Sequence, residues 1–148
     1  MEMSGPRQKV LIVDDDPDDR MIILETLKTC DASVDCYELK HGNGVLDYMN
    51  ETFTDTLPSF ILLDLNMPGK SGKQVLKELK GDNKYIGIPI IIFTTTSSVR
   101  EKQESYFLGA NCFVTKPHNY DAFRSVINAI TNLYCYNSNG NGTRTNNL

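Results

Sequence analysis

The 148-residue chain reads as a single α/β domain, a five-stranded parallel sheet with helices on both faces. Three observations predict that class. Short apolar runs end abruptly in polar residues, stretches of helical periodicity separate them, and the two kinds alternate along the chain without an internal repeat. Runs that are apolar throughout, rather than at every second residue, belong to strands covered on both sides.

The first run, Lys9-Val10-Leu11-Ile12-Val13, closes on Asp14-Asp15-Asp16. Pro17 suits the first helical position, so Asp16 is expected at the N-cap, with Asp18 and Asp19 complementing the helix dipole. Those three acids have structural duties. Asp14 and Asp15 lie between strand and cap and have none, although Asp14 also reads as a plain capping acid. The helix from Pro17 to about Thr29 carries Ile23, Leu24 and Leu27 on one face.

Val34 to Leu39 alternates as a strand, Gly42-Asn43-Gly44 breaks it, and Val45 to Glu51 forms a short helix carrying Leu46 and Met49. Phe60-Ile61-Leu62-Leu63 then runs into Asp64, followed by the turn residues Asn66, Met67, Pro68 and Gly69. Ser71 to Lys80 is a helix with Val75, Leu76 and Leu79 inward, and Gly81-Asp82-Asn83 ends it. Pro89 to Phe93 is another buried strand. It leads into Thr94-Thr95-Thr96-Ser97-Ser98, where Ser97 or Ser98 caps a polar helix that reaches Leu108 and stops at Gly109. That helix has a thin apolar face, Val99, Tyr106 and Phe107, so weak anchoring is expected there. Asn111 to Thr115 is the last strand, ending at Lys116-Pro117. Tyr120 to Tyr134 is strongly amphipathic, with Phe123, Val126, Ile127, Ile130 and Leu133 at helical spacing.

These elements bound one domain over residues 9–134. Residues 1–8 read as a flexible leader, and residues 135–148, rich in Asn, Gly, Ser and Thr, as a disordered tail without an output domain. The net charge of -4 offers no basic footprint for nucleic acid. No apolar run approaches the roughly 18 residues of a membrane span, so a cytoplasmic location is expected. Cys30, Cys36, Cys112 and Cys135 form no metal-ligand spacing and read as reduced packing residues; His41 and His118 are single and read as surface.

In a parallel sheet all the carboxyl ends share one edge, so Asp14, Asp15, Asp64, Thr94 and Lys116 converge. Clustered carboxylates repel, and a divalent cation resolves the repulsion. Hard oxygen donors suit Mg²⁺, and a carboxylate beside it can attack phosphorus to form an acyl phosphate. The charge on the transferring group then needs a cation and a donor opposite, which Lys116 and the Thr94 hydroxyl supply.

With these residues in hand the chain resembles the receiver domains of two-component response regulators, in particular single-domain, chemotaxis-regulator-like ones. Val13-Asp14-Asp15, Asp64-Leu65-Asn66-Met67-Pro68-Gly69-Lys70-Ser71-Gly72, Phe93-Thr94-Thr95 and Thr115-Lys116-Pro117 occur in that family's order, over residues from about 8 to 134. The resemblance implies a flavodoxin-like (βα)5 fold with strand order 2-1-3-4-5. It also implies that Asp64 is the phosphoacceptor, served by a histidine kinase or histidine phosphotransfer protein. Asp15 and Asp64 would hold Mg²⁺ with the Asn66 carbonyl, with Asp14 acting through water. Lys116 would pair with Asp64 at rest, ahead of a cis Lys116-Pro117 bond. Thr94 and Phe113 would form a coupled switch, although Phe113 lacks the hydroxyl that many relatives carry as tyrosine and, as a strand aromatic, reads more readily as plain core. The resemblance leaves open a homodimer through the fourth helix, fifth strand and fifth helix.

Two other functions share parts of this pattern. A Mg²⁺-dependent phosphatase with an aspartyl nucleophile needs an acid two residues after Asp64, where Asn66 stands. A flavin-binding electron carrier needs a phosphate cradle after the first strand, where Asp14-Asp15-Asp16 would repel the phosphate.

Overall fold

The computed structural model describes residues 7–30 and 33–135 of the chain. Ten elements alternate: β1 (Gln8–Val13), α1 (Pro17–Cys30), β2 (Val34–Leu39), α2 (Val45–Thr52), β3 (Phe60–Leu63), α3 (Gly72–Lys80), β4 (Ile90–Thr94), α4 (Val99–Phe107), β5 (Cys112–Thr115) and α5 (Tyr120–Tyr134). The strands form one parallel sheet in the order β2-β1-β3-β4-β5, as the resemblance implies.

Both faces of the sheet are covered, which is why the central strands are apolar at every position. Leu11, Val13, Ile61, Leu63, Ile90, Ile92 and Phe113 join a core with Val45 and Met49 of α2 and Val75, Leu76 and Leu79 of α3. Their neighbours Val10, Ile12, Phe60, Leu62, Ile91 and Phe93 point the other way, against Ile23 and Leu27 of α1 and Phe123, Ile127 and Ile130 of α5. Each such side chain contributes about 1.5–3 kcal/mol when fully buried.

The helix starts follow local chemistry. Asp16 accepts from the amides of Asp18 (2.9 Å) and Asp19 (3.3 Å) at the start of α1. Ser71 and Gln74 close a capping box on α3, Ser98 caps α4, and Asn119 caps α5. Of the two serines open as the α4 cap, the fold uses Ser98.

Several expectations need correction. β1 begins at Gln8, inside the expected leader, because its amide reaches the Ser33 carbonyl at 3.2 Å and Gln8 pairs with Val34. Cys135, assigned to the tail, is buried against the α1–α5 core, with its amide on the Thr131 carbonyl at 2.9 Å. The remaining tail, 136–148, the first six residues and the Cys30 side chain lie outside the described residues. Cys36 and Cys112 are free thiols.

The expected inward face of α4 points outward. Val99, Tyr106 and Phe107 are exposed, Phe107 by 89%, whereas Ser105 is the helix residue that is fully buried. Leu133 of α5 is exposed as well, because α5 meets the sheet through Phe123, Ile127 and Ile130. Among the described residues no peptide bond is cis, so Lys116-Pro117 adopts the lower-energy trans isomer. No described helix is long and apolar enough to cross a membrane.

Gly72 ties α3 to the end of β3. Its amide donates to the Leu65 carbonyl at 3.0 Å, and a Cβ there would sit 2.2 Å from the Asp64 carbonyl oxygen and 2.7 Å from the Leu65 Cα. Both are backbone atoms and cannot swing aside. Gly72→Ala should therefore cost about 2–3 kcal/mol of stability in urea unfolding. A loss below about 0.5 kcal/mol would mean that α3 does not press on the backbone after β3.

Candidate functional site

The strand order turns between β1 and β3, the crevice where parallel sheets gather ligands. These two strands end in step. Val13 pairs with Leu63, the Asp64 amide donates to the Val13 carbonyl at 3.0 Å, and the Asp14 amide donates to the Leu39 carbonyl at 3.1 Å. Asp14 and Asp64 thus leave the sheet side by side. With Asp15 they form a cluster in which one carboxylate oxygen from each lies within 4.8 Å of the others. Asp14 and Asp64 are buried and Asp15 is exposed, which leaves the cluster open on one side. Three hard oxygen donors at this spacing suit Mg²⁺ or a similar divalent cation.

Lys116 reaches the cluster from the far side of β4. Its amide donates to the Thr94 carbonyl at 2.6 Å, and its ammonium passes 5.9 Å from the Phe93 ring centroid. The Nζ lies 2.8 Å from Asp14 Oδ2, 2.7 Å from Asp19 Oδ2 and 3.6 Å from Asp64 Oδ2. The expected convergence of Lys116 on Asp64 therefore holds, but the shortest contacts go to Asp14 and to Asp19.

Sequence reasoning left Asp19 to the helix dipole and missed Arg20. Arg20 is buried, donates through Nη1 to the Asp14 carbonyl at 2.7 Å, and pairs through Nε with Glu38 at 3.0 Å. It fixes the backbone that carries Asp14. A βα unit brings the start of its helix over the strand ends, so an acid in the first turn of α1 was a legible candidate. Nothing in the sequence marks Arg20.

Thr94 ends β4 with no exposed surface, and its hydroxyl accepts from Asn66 Nδ2 at 3.4 Å. Asn66 also donates its amide to Asp64 Oδ1 at 3.4 Å. Phe113 is buried in the core under α2 and α3, with its amide donating to the Tyr106 hydroxyl at 3.0 Å.

Burial dominates the electrostatics of the two inner acids. It raises Asp14 to about 6, against the hydrogen bond and charge of Lys116 and the Asp16 amide. Burial raises Asp64 too, opposed by Lys116, the Asn66 amide and the Thr94 hydroxyl. For Lys116 burial acts downward, but the hydrogen bonds its ammonium donates to Asp14 and Asp19 and the surrounding negative charge overcome it and raise its pKa.

A model of the response regulator receiver domain matches residues 10–128. The chain belongs to the response regulator receiver family. This receiver is 33% identical over 127 residues to response regulator Rcp1 of Synechocystis sp., covering 83% of this chain and 86% of Rcp1. It is 31% identical over 127 residues to protein PilH of Pseudomonas aeruginosa, covering 82% and 96%. Among solved structures, the phosphorylated cyanobacterial phytochrome response regulator RcpA superposes with a TM-score of 0.81 at 28% identity, covering 86% of this chain and 94% of that one. The Mn(2+)-bound form of Rcp1 superposes at 0.77 and 30% identity, covering 84% and 91%. Receiver domains are signalling domains rather than classical enzymes, they bind divalent cations, and they interact with histidine kinases or phosphotransfer proteins.

The shifted acids give this receiver a pH signature. Asp14 has a folded pKa of about 6 against an ordinary 3.8, so its contribution to stability is complete below about pH 4 and is lost as pH rises through about 6. Glu104 shifts the opposite way, held near about 2 by Lys73 and Arg100, so its contribution is complete above about pH 4.5. Without divalent cations, the melting temperature should fall between about pH 4.5 and about pH 7, and Asp14→Asn should flatten that fall. A wild-type midpoint that rises across this window would show that Asp14 is not a buried, destabilising charge.

Proposed function

We propose that this receiver accepts a phosphoryl group on Asp64 from the phosphohistidine of a sensor histidine kinase or a histidine phosphotransfer protein. The observation that carries the reading is the buried Asp64 carboxylate, 3.6 Å from the Lys116 ammonium and clustered with Asp14 and Asp15. An Asp64 oxygen attacks phosphorus, the P–N bond breaks, and the histidine nitrogen leaves with the electron pair and regains a proton. A mixed anhydride on Asp64 results, and attack by water or by another histidine restores the carboxylate.

Asp14, Asp15, Asp64 and the carbonyl of Asn66 are the groups we assign to Mg²⁺, which when bound offsets the charge of the phosphoryl oxygens. Lys116 provides the fixed positive charge on the other side, and the Thr94 hydroxyl donates to a phosphoryl oxygen. Both are buried, which supports a role inside the hollow rather than on the surface.

The change of state reaches partners through α4 and β5. Thr94, drawn toward the phosphoryl group, leaves room that the Phe113 ring fills, and the shift biases a two-state equilibrium. The exposed Val99, Tyr106 and Phe107 on α4, and the Tyr106 hydroxyl bound to the Phe113 amide, support this surface as the output. A homodimer through α4, β5 and α5 is the self-contact we assign to the same face. The module either binds a target protein there or passes the phosphoryl group onward, working in the cytoplasm.

Incubation with acetyl phosphate and Mg²⁺ should add one phosphoryl group to the wild type by intact mass. Asp64→Asn and chelation by EDTA should each abolish the addition, and Lys116→Met should slow it on the order of 10²-fold. Equal labelling of Asp64→Asn would reject Asp64 as the acceptor.

A further inference from the structure

Lys116 carries one positive charge and faces more than one anion at hydrogen-bonding distance. The Nζ is 2.7 Å from Asp19 and 2.8 Å from Asp14, and a full 3.6 Å from Asp64. Its side chain lies beside Phe93, whose ring belongs to the core between the sheet, α1 and α5. The ammonium therefore approaches the hollow from the α1 side, where Asp19 meets it.

Asp19 is held firmly for this. Its own amide donates to the Asp16 cap, and the next residue, Arg20, anchors α1 to the Asp14 carbonyl and to Glu38. The Asp19 side chain is 20% exposed, so its carboxylate is mostly withdrawn from competing water. Asp18, one residue earlier, is exposed and its backbone amide bonds Asp16.

We propose that Asp19 is a positioning residue that shares Lys116 with the phosphoryl site and so sets how strongly that lysine engages an anion on Asp64. At rest Asp19 draws the ammonium toward α1, beyond hydrogen-bonding distance of Asp64. An arriving phosphoryl group has to compete with the Asp19 carboxylate for the same protons. The proposal rests on Asp64 being the phosphoacceptor.

The test measures binding of beryllofluoride with saturating Mg²⁺, by titration against wild type, Asp19→Asn, Asp19→Ser, Asp19→Glu and Asp18→Asn, with a melting curve for each. Removing the Asp19 carboxylate should tighten beryllofluoride binding about fivefold without raising the melting temperature. Asp19→Glu, which keeps an acid within reach of Lys116, should return the affinity to within about twofold of wild type. Asp18→Asn removes the same charge one residue away and should also stay within about twofold. Asp19→Ser serves where Asp19→Asn folds poorly.

Unchanged or weaker binding in both the Asn and Ser variants would overturn the proposal. So would an equal gain in Asp18→Asn, which would reduce Asp19 to a general negative charge, or a failure of Asp19→Glu to restore the wild-type value. Failure of the wild type to bind beryllofluoride at all would instead overturn the phosphoacceptor reading.

Discussion

One ammonium group in a nest of carboxylates is the constraint on which the site depends. Asp14 and Asp64 are buried, Asp19 is mostly so, and Lys116 is the cation the fold brings within 4 Å of all three. Two unit charges at about 4 Å interact by about 4 kcal/mol at an effective dielectric of 20, so unbalanced acids at this spacing would drive the strand ends apart or take up protons. The hollow avoids the first by pairing and by protonation. Lys116 neutralises part of the charge, and burial leaves Asp14 half protonated near pH 6. What remains is a standing demand for positive charge, which makes the same hollow receptive to a divalent cation.

The sheet makes that concentration of charge affordable in structural terms. Beneath the acids, two closed apolar layers meet opposite faces of β1, β3 and β4, with the side chains alternating between them. β1 and β3 are in register to their last residues, so the carboxylates leave the sheet from two paired, buried central strands. β4 extends to Thr94 and pairs there with Thr115, which sets Lys116 one step beyond the sheet. Gly72 lets the start of α3 approach the chain just after Asp64.

α4 is built on another principle. Its one buried residue, Ser105, has a hydroxyl with no hydrogen-bond partner, and its large side chains face outward. Attachment comes from polar links instead: Lys73 of α3 pairs with Glu101 and Glu104, and the Tyr106 hydroxyl holds the β5 edge. Exposed ion pairs of this kind contribute about 0–1 kcal/mol each, far less than a buried leucine. A helix held this way is anchored less firmly than the strands it lies against.

How much of this was legible beforehand depends on which physics decides it. Local pattern decided the ten elements, the Asp16 cap and the parallel class, because periodicity and turn chemistry act within a few residues. It also decided that Asp14, Asp15, Asp64, Thr94 and Lys116 share one edge, since parallel strands all end on the same side. The strand order came with the family resemblance, whose motifs are themselves carried in the sequence. Tertiary structure alone decided that Lys116 leans toward α1 and bonds Asp19 and Asp14 more closely than Asp64, that Arg20 braces the acidic loop, that Cys135 is buried, and that Val99, Tyr106 and Phe107 face outward. These depend on the directions of long side chains and on which helix face finds room against the sheet, and such choices are settled by contacts between residues far apart in the chain.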